Sequence, residues 1–248
     1  MTDTPAQDLP LFYRRIVPFD SRQHGDLKLY QMRSFDYAAE TAVVPVVADE
    51  FARLSGTYPI LFRAEPSPVA LALVGIREGE NLFVRADGTW RSHKPIPAYV
   101  QRYPFMLLET STPNQMALAF DPEAGLLAPD AEIPLFENGQ QTAVMAEVMK
   151  LCGTLKMQAD VTRDFLHECR RLDLFVEHQA EMVVGGTANF TLTGFHVIDE
   201  RRFLDLPDSV WIVWKNRGWI GLVYAHLLSL GRLSDIATYA AEEWGMTG

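Results

Sequence analysis

Only two cysteines occur among the 248 residues, Cys152 and Cys169, and they form no Cys-x-x-Cys pair. Two thiols make no disulfide framework. A reducing compartment, with both cysteines as small buried apolar groups, is the direct reading. No apolar run approaches the ~18 residues of a membrane span. The longest, 68–75 and 219–230, are short or carry polar side chains. Residues 1–10 are polar and acidic, without a basic or an apolar stretch. No Sec-type signal is read there, a disordered lead is expected, and so is a cytoplasmic location. Positive charge is scarce: 22 Lys and Arg stand against 32 Asp and Glu, for a net charge of −10. Arg14-Arg15, Arg170-Arg171 and Arg201-Arg202 are isolated pairs and build no basic stripe. Nucleic acid and anionic membrane surfaces are therefore poor partners.

Catalytic motifs are missing too. Six histidines (His24, His93, His167, His178, His196 and His226) make no His-x-His and no His-Glu-x-x-His. No metal and no cofactor is expected from such spacing. Gly185-Gly186-Thr187 lacks the Lys-Ser/Thr of a phosphate loop, and no Gly-x-Ser-x-Gly elbow occurs. His226 and Ser229 lie three apart, on one face if that stretch is helical. They read as a His–Ser pair or, more plainly, as a satisfied polar pair on a helix. His24-Gly25-Asp26 sits before the first strand. It offers either a functional histidine on a positioned loop or a structural turn held by Asp26.

What is present is apolar and patterned. Apolar residues make up 48% and charged residues 22%, enough for a sizeable core. One signature is used twice, in Tyr58-Pro59-Ile60-Leu61-Phe62 and in Tyr103-Pro104-Phe105-Met106-Leu107-Leu108. Proline suits the first residue of a strand, so both pairs are expected to open strands of one sheet. Between them, the apolar run 69–75, Glu80 to Val84 and the stretch to Trp90 read as short strands turned at Gly79 and Asp87-Gly88. Asp26 to Met32 reads as a strand, Pro45 to Ser55 as a short helix and Pro97 as a helix start. Phe105–Glu109 and Gln115–Phe120 read as a strand pair turning at Pro113-Asn114, followed by a loop over 124–134.

From Gly139 to Phe175 the period becomes helical. Val144, Val148, Leu151 and Leu155 mark one helix; Phe165, Leu166, Cys169 and Leu172 mark a second, with Thr162 as its cap. Strands follow at 179–184 and 189–197, joined by Gly185-Gly186, and a closing helix is read over 221–230. Trp211 and Trp214 share a face if helical, as a binding platform or as core; at least one is expected to be core, given Val210, Ile212, Val213 and Ile220 beside them.

The order of motifs resembles the SapC family. The carrying residues are His24-Gly25-Asp26-Leu27, Val44 to Phe51, Tyr58 to Phe62, Gly79 to Val84, Asp87-Gly88-Thr89-Trp90, Pro97 to Val100 and Arg102 to Phe105, and later Thr193 to Glu200 and Ala225 to Leu230. The resemblance covers about residues 10–231. It implies a bacterial protein linked to surface layers, and it supplies no catalytic residues to carry over. A peptide-transporter permease of the same name spans the membrane, which this chain has no segment to do.

The fold expected is α+β over 11–248: a mostly antiparallel sheet, a helical pair after residue 139 and a C-terminal helix. The function expected is non-enzymatic, an accessory protein acting through a protein or peptide partner, with any envelope association made through that partner. The competing expectation is a small-molecule enzyme or ligand-binding protein whose pocket is lined by Trp90, Tyr99 and Tyr103, with His24 nearby. Trp211 and Trp214 are the partner-binding candidates.

Overall fold

The computed structural model describes residues 9–31, 34–112 and 115–246. The chain opens with β1 (Val17–Pro18), α1 (Ser21–His24), β2 (Lys28–Leu29) and β3 (Val43–Pro45). A 3-10 turn over Ala48–Glu50 leads into α2 (Phe51–Leu54), then β4 (Ile60–Arg63), β5 (Val69–Leu73) and α3 (Ala98–Gln101). Next come β6 (Phe105–Glu109), β7 (Met116–Phe120), β8 (Leu127–Ala128), β9 (Ile133–Pro134), β10 (Phe136–Glu137) and β11 (Gln140–Gln141). The helix α4 (Ala143–Arg171) precedes the hairpin β12 (Phe175–Val184) and β13 (Ala188–Ile198). Four helices close the described chain: α5 (Glu200–Leu204), α6 (Asp208–Arg217), α7 (Trp219–Ser229) and α8 (Leu233–Glu243). The protein is α+β, with antiparallel sheets and a helical C-terminal part.

The main sheet runs β12-β13-β4-β5-β3; a smaller one runs β1-β7-β6. Both Tyr-Pro pairs precede strands, as their β-forming residues dictate. The two strands lie in different sheets, however, since β4 pairs with β5 and β13 while β6 pairs with β7. Glu80 to Val84 is not a ladder strand: only a single bridge, Val84 to Trp90, forms there. The strand expected over 26–32 shortens to Lys28–Leu29, and 124–134 is not loop alone, because β8 and β9 flank β2 on either side. Pro45 ends a strand rather than starting a helix. The turn expected at Pro113-Asn114 and most of the lead over 1–10 fall outside the described residues.

The expected helical pair after residue 139 is one helix of 29 residues. Nothing breaks it: Thr162, expected to cap a second helix, instead donates its hydroxyl to the Gln158 carbonyl within the helix, at 2.6 Å. That back-bond lets a hydroxyl residue sit in mid-helix. The true cap is Thr142, whose Oγ1 accepts from the Met145 N–H at 3.3 Å and donates to the Pro134 carbonyl at 2.9 Å. Thr142→Ala is expected to lower stability by about 1 kcal/mol, read as a shifted urea midpoint with an unchanged slope. Further on, the closing helix read over 221–230 begins earlier, and a separate helix precedes it. Gly218 adopts a left-handed φ of 72°, ends α6, and lets α7 start at Trp219.

Two apolar clusters form. The larger joins the main sheet to α2 and the C-terminal helices around Tyr58, Phe62, Phe83 and Trp214. The smaller gathers Phe105, Phe120 and Leu135. The helix α4 serves both, with Met145 and Cys152 in the second cluster and Phe165, Leu166 and Cys169 in the first.

Candidate functional site

The middle of α4 does not close onto the sheet edge. Between them lies an apolar cleft of about 230 Å³. Pro45, Val46 and Val47 form one wall with Val69 and Ala70 beside them; Leu155, Ala159, Thr162 and Leu166 of α4 form the other. Tyr99 and Arg102, on α3 and just after it, close one end.

Two local devices position that end. The Glu50 carboxylate accepts from the Ala98 N–H at 2.8 Å and the Val47 N–H at 3.3 Å, and pairs with Arg53 at 2.8 Å. It thereby fixes the start of α3 against the 3-10 turn. Its burial raises its pKa, an effect those same N–H groups oppose. On the other wall, Thr162 Oγ1 accepts from the Ala48 N–H at 2.8 Å and so ties α4 to the strand-to-helix corner.

Arg102 is the unusual group. Its guanidinium lies 4.0 Å from the Tyr99 ring centre and 5.7 Å from that of Tyr13. Its Nε is buried with no acceptor. Among the described residues it makes no ion pair, whereas Arg163 at the rim is already matched by Asp160 at 2.8 Å. Arg102 as a whole is half-buried, but an unmatched buried donor such as its Nε costs about 1–3 kcal/mol. Tyrosines of this part of the fold are held by hydrogen bonds. Tyr13 donates to the Phe105 carbonyl at 2.6 Å, Tyr37 to the Val100 carbonyl at 2.9 Å, and Tyr103 to Asp121 at 3.1 Å. Burial holds the Tyr13, Tyr37 and Tyr99 hydroxyls above their ordinary pKa, so they stay protonated. Cys152 is likewise pushed up to about 11 by burial, which makes it an inert thiol.

The pocket expected from Trp90, Tyr99 and Tyr103 with His24 is not assembled as such. Tyr99 lines the cleft. Tyr103 is buried and stacks on Tyr37 at 4.5 Å, lining a different depression with Phe12. Trp90 is core, with its Nε1 donating to the Tyr58 hydroxyl at 3.2 Å. His24 ends α1 and packs on Phe120 at 5.1 Å, while its Nδ1 accepts from the Asp20 N–H. Trp211 and Trp214 do share a face, both against Phe203, at 4.7 and 5.9 Å. Trp214 is core at 1% exposure.

His226 and Ser229 are buried, and their polar atoms serve the backbone. The imidazole stands between Ile60 O, 2.7 Å from Nδ1, and the Ile198 N–H, which donates to Nε2 at 3.1 Å. Ser229 Oγ accepts from the Ile60 N–H at 2.8 Å and donates to the His226 carbonyl at 2.6 Å. The serine hydroxyl does not reach the ring, so this is no nucleophile–base pair.

No group of three or more His, Cys, Asp or Glu that could hold a metal occurs among the described residues. No helix there is long and apolar enough to cross a membrane. Arg102 was missed in the sequence because it reads there as the lead into a strand; only the three-element cleft reveals it.

The fold is α+β, and a tyrosine-backed arginine stands at one end of an apolar cleft. The chain belongs to the SapC family, whose family model matches residues 19–236. No curated protein and no solved structure matches it.

Proposed function

We propose that this SapC-family protein is a non-enzymatic binding protein whose site is the cleft between α4 and the β3–β5 edge. One observation carries the reading: a guanidinium with a buried, unsatisfied Nε at the end of an apolar cleft. Convergent polar groups in an apolar concavity are the usual build of a small-molecule site. Binding is favoured over catalysis by the state of the other lining groups. Thr162 spends its hydroxyl on two backbone partners, and Tyr99 is kept protonated.

The test is native mass spectrometry of the freshly purified protein, with ligand-observed NMR against a fragment library. Ala159 faces solvent at the rim of the cleft, so Ala159→Leu fills it without disturbing the core. A copurified small molecule, or fragment signals, that disappear in Ala159→Leu at unchanged melting temperature is the expected result. Fragments that bind both proteins alike would remove the cleft from consideration.

A protein or peptide partner is a second reading, favoured by the edge of the main sheet. Nothing pairs with the outer side of β12 among the described residues, and α8 flanks it. Between them runs a depression of about 450 Å³ lined by Met182, Gly185, Leu233, Ala237 and Thr238. An extended peptide adding a strand there fits this geometry. Its mark would be slowed amide exchange confined to β12 on binding. Any surface-layer association of the kind the family resemblance implies would run through such a partner.

A further inference from the structure

We propose that the ligand of the Arg102 cleft is a small monocarboxylate with an apolar chain, about eight non-hydrogen atoms in all. The inference rests on the ligand-binding reading above and names the chemistry of its ligand.

The charge argument comes first. Arg102 presents its guanidinium with one face on Tyr99, which leaves its in-plane N–H groups to find acceptors. Its buried Nε has none, the guanidinium makes no ion pair among the described residues, and the Tyr99 hydroxyl is its one hydrogen-bonding side-chain neighbour there. The matching ligand group is anionic and offers a bidentate pair of acceptor oxygens. Both carboxylate and phosphate meet that description, and the surroundings choose between them. The cleft offers a single unmatched cation, because Arg163 is held by Asp160 and lies near Asp164 at 3.7 Å. A phosphate monoester brings about −1.5 to −2 charges at neutral pH and would leave one of them uncompensated among Val46, Val69, Leu155 and Leu166. A carboxylate is balanced by Arg102 alone.

Size and polarity fix the remainder. Away from Arg102 the walls are aliphatic, so the rest of the ligand is apolar. At the ~30 Å³ that a water molecule occupies in the liquid, 230 Å³ corresponds to about eight non-hydrogen atoms. Hexanoate has that size.

The experiment is calorimetric titration of the full chain with hexanoate, with hexanamide as its neutral isostere, and with hexyl phosphate. Hydrogen bonds to charged groups are worth about 1.5–3 kcal/mol, so hexanoate is expected to bind about 10- to 100-fold tighter than hexanamide. Arg102→Gln should bring hexanoate down to the hexanamide level, and Ala159→Leu should abolish binding of both at unchanged melting temperature. The comparison of hexanoate with hexanamide on the unaltered protein stands even if the Arg102 variant does not fold. Equal affinity for these two overturns the carboxylate assignment and leaves the cleft as a ligand site. Tighter binding of hexyl phosphate overturns it in favour of a phosphate ester. No binding by any of the three, or binding that survives Ala159→Leu, overturns the assignment together with the ligand-binding reading on which it rests.

Discussion

Trp214→Ala is expected to cost about 3–5 kcal/mol, a large share of the 5–15 kcal/mol that holds a typical domain together. The indole is only 1% exposed and sits where α6, α7 and α4 meet. Its ring centre lies 5.7 Å from Trp219, 5.8 Å from Phe165 and 5.9 Å from Phe203. All three neighbours are themselves buried, so truncation leaves a cavity that cannot easily collapse. The same residue carries a defect: its Nε1–H is buried without an acceptor. Trp214→Phe loses ring volume yet removes that unsatisfied donor, two effects of opposite sign. A cost of about 1–2 kcal/mol is therefore expected for phenylalanine, well below that for alanine. Ile212, on the same helix but 60% exposed, is the control; Ile212→Ala should stay within about 0.5 kcal/mol of the parent. Urea denaturation of the three variants checks the ordering. If Trp214→Ala matched Ile212→Ala, the tryptophan would be a surface group and the core assignment wrong.

How much of this was legible depends on how local each cause is. Strands β4, β6, β7, β12 and β13 could be read because aromatic and aliphatic runs bounded by Pro or Gly carry their own signal. The length of α4 could not be read, since the side chain that stabilises its middle, Thr162, looks like a cap until its bonds to Gln158 and Ala48 are seen. Which sheet each Tyr-Pro strand joins was equally hidden. That choice is made by β13, more than 120 residues after β4 in sequence. Of the aromatic residues singled out as a pocket, Trp90 and Tyr103 are buried and Tyr99 lines the cleft. Arg102 has an ordinary local sequence. Its isolation from carboxylates is set by what α4 and the 45–47 segment do not bring near it, which no spacing rule encodes.

Acidification from pH 7.5 to 4.5 is expected to destabilise the protein through His226, by about 3 kcal/mol at most. The paired register of β13 and β4 has His196 opposite Phe62. Continuing the ladder would set Ile198 opposite Ile60, but there the strands are bridged by the His226 ring instead. Nε2 accepts from the Ile198 N–H, so it carries no proton, and Nδ1–H donates to Ile60 O. Burial lowers the pKa from 6.5 to about 4, against the smaller opposing pull of the Ile60 carbonyl, and no charged side chain contributes. In the unfolded chain this histidine takes up its proton near pH 6.5; in the fold it resists until about pH 4. The contribution is thus intact above pH 6.5, falls as the pH drops through the window from 6.5 to about 4, and is gone below it. A glutamine amide can donate to Ile60 and accept from Ile198 without titrating. His226→Gln should therefore flatten this part of the pH dependence while retaining most of the stability at pH 7.5. His226→Ala removes both partners and should cost about 3–5 kcal/mol, as a buried cavity plus two orphaned backbone groups. Taking the difference between parent and His226→Gln cancels every other ionisable group, since the two proteins share them all. Parallel stability-versus-pH curves for the two proteins would show that His226 is not the group lost on acidification, and the imidazole bridge would then be no more than a packing contact.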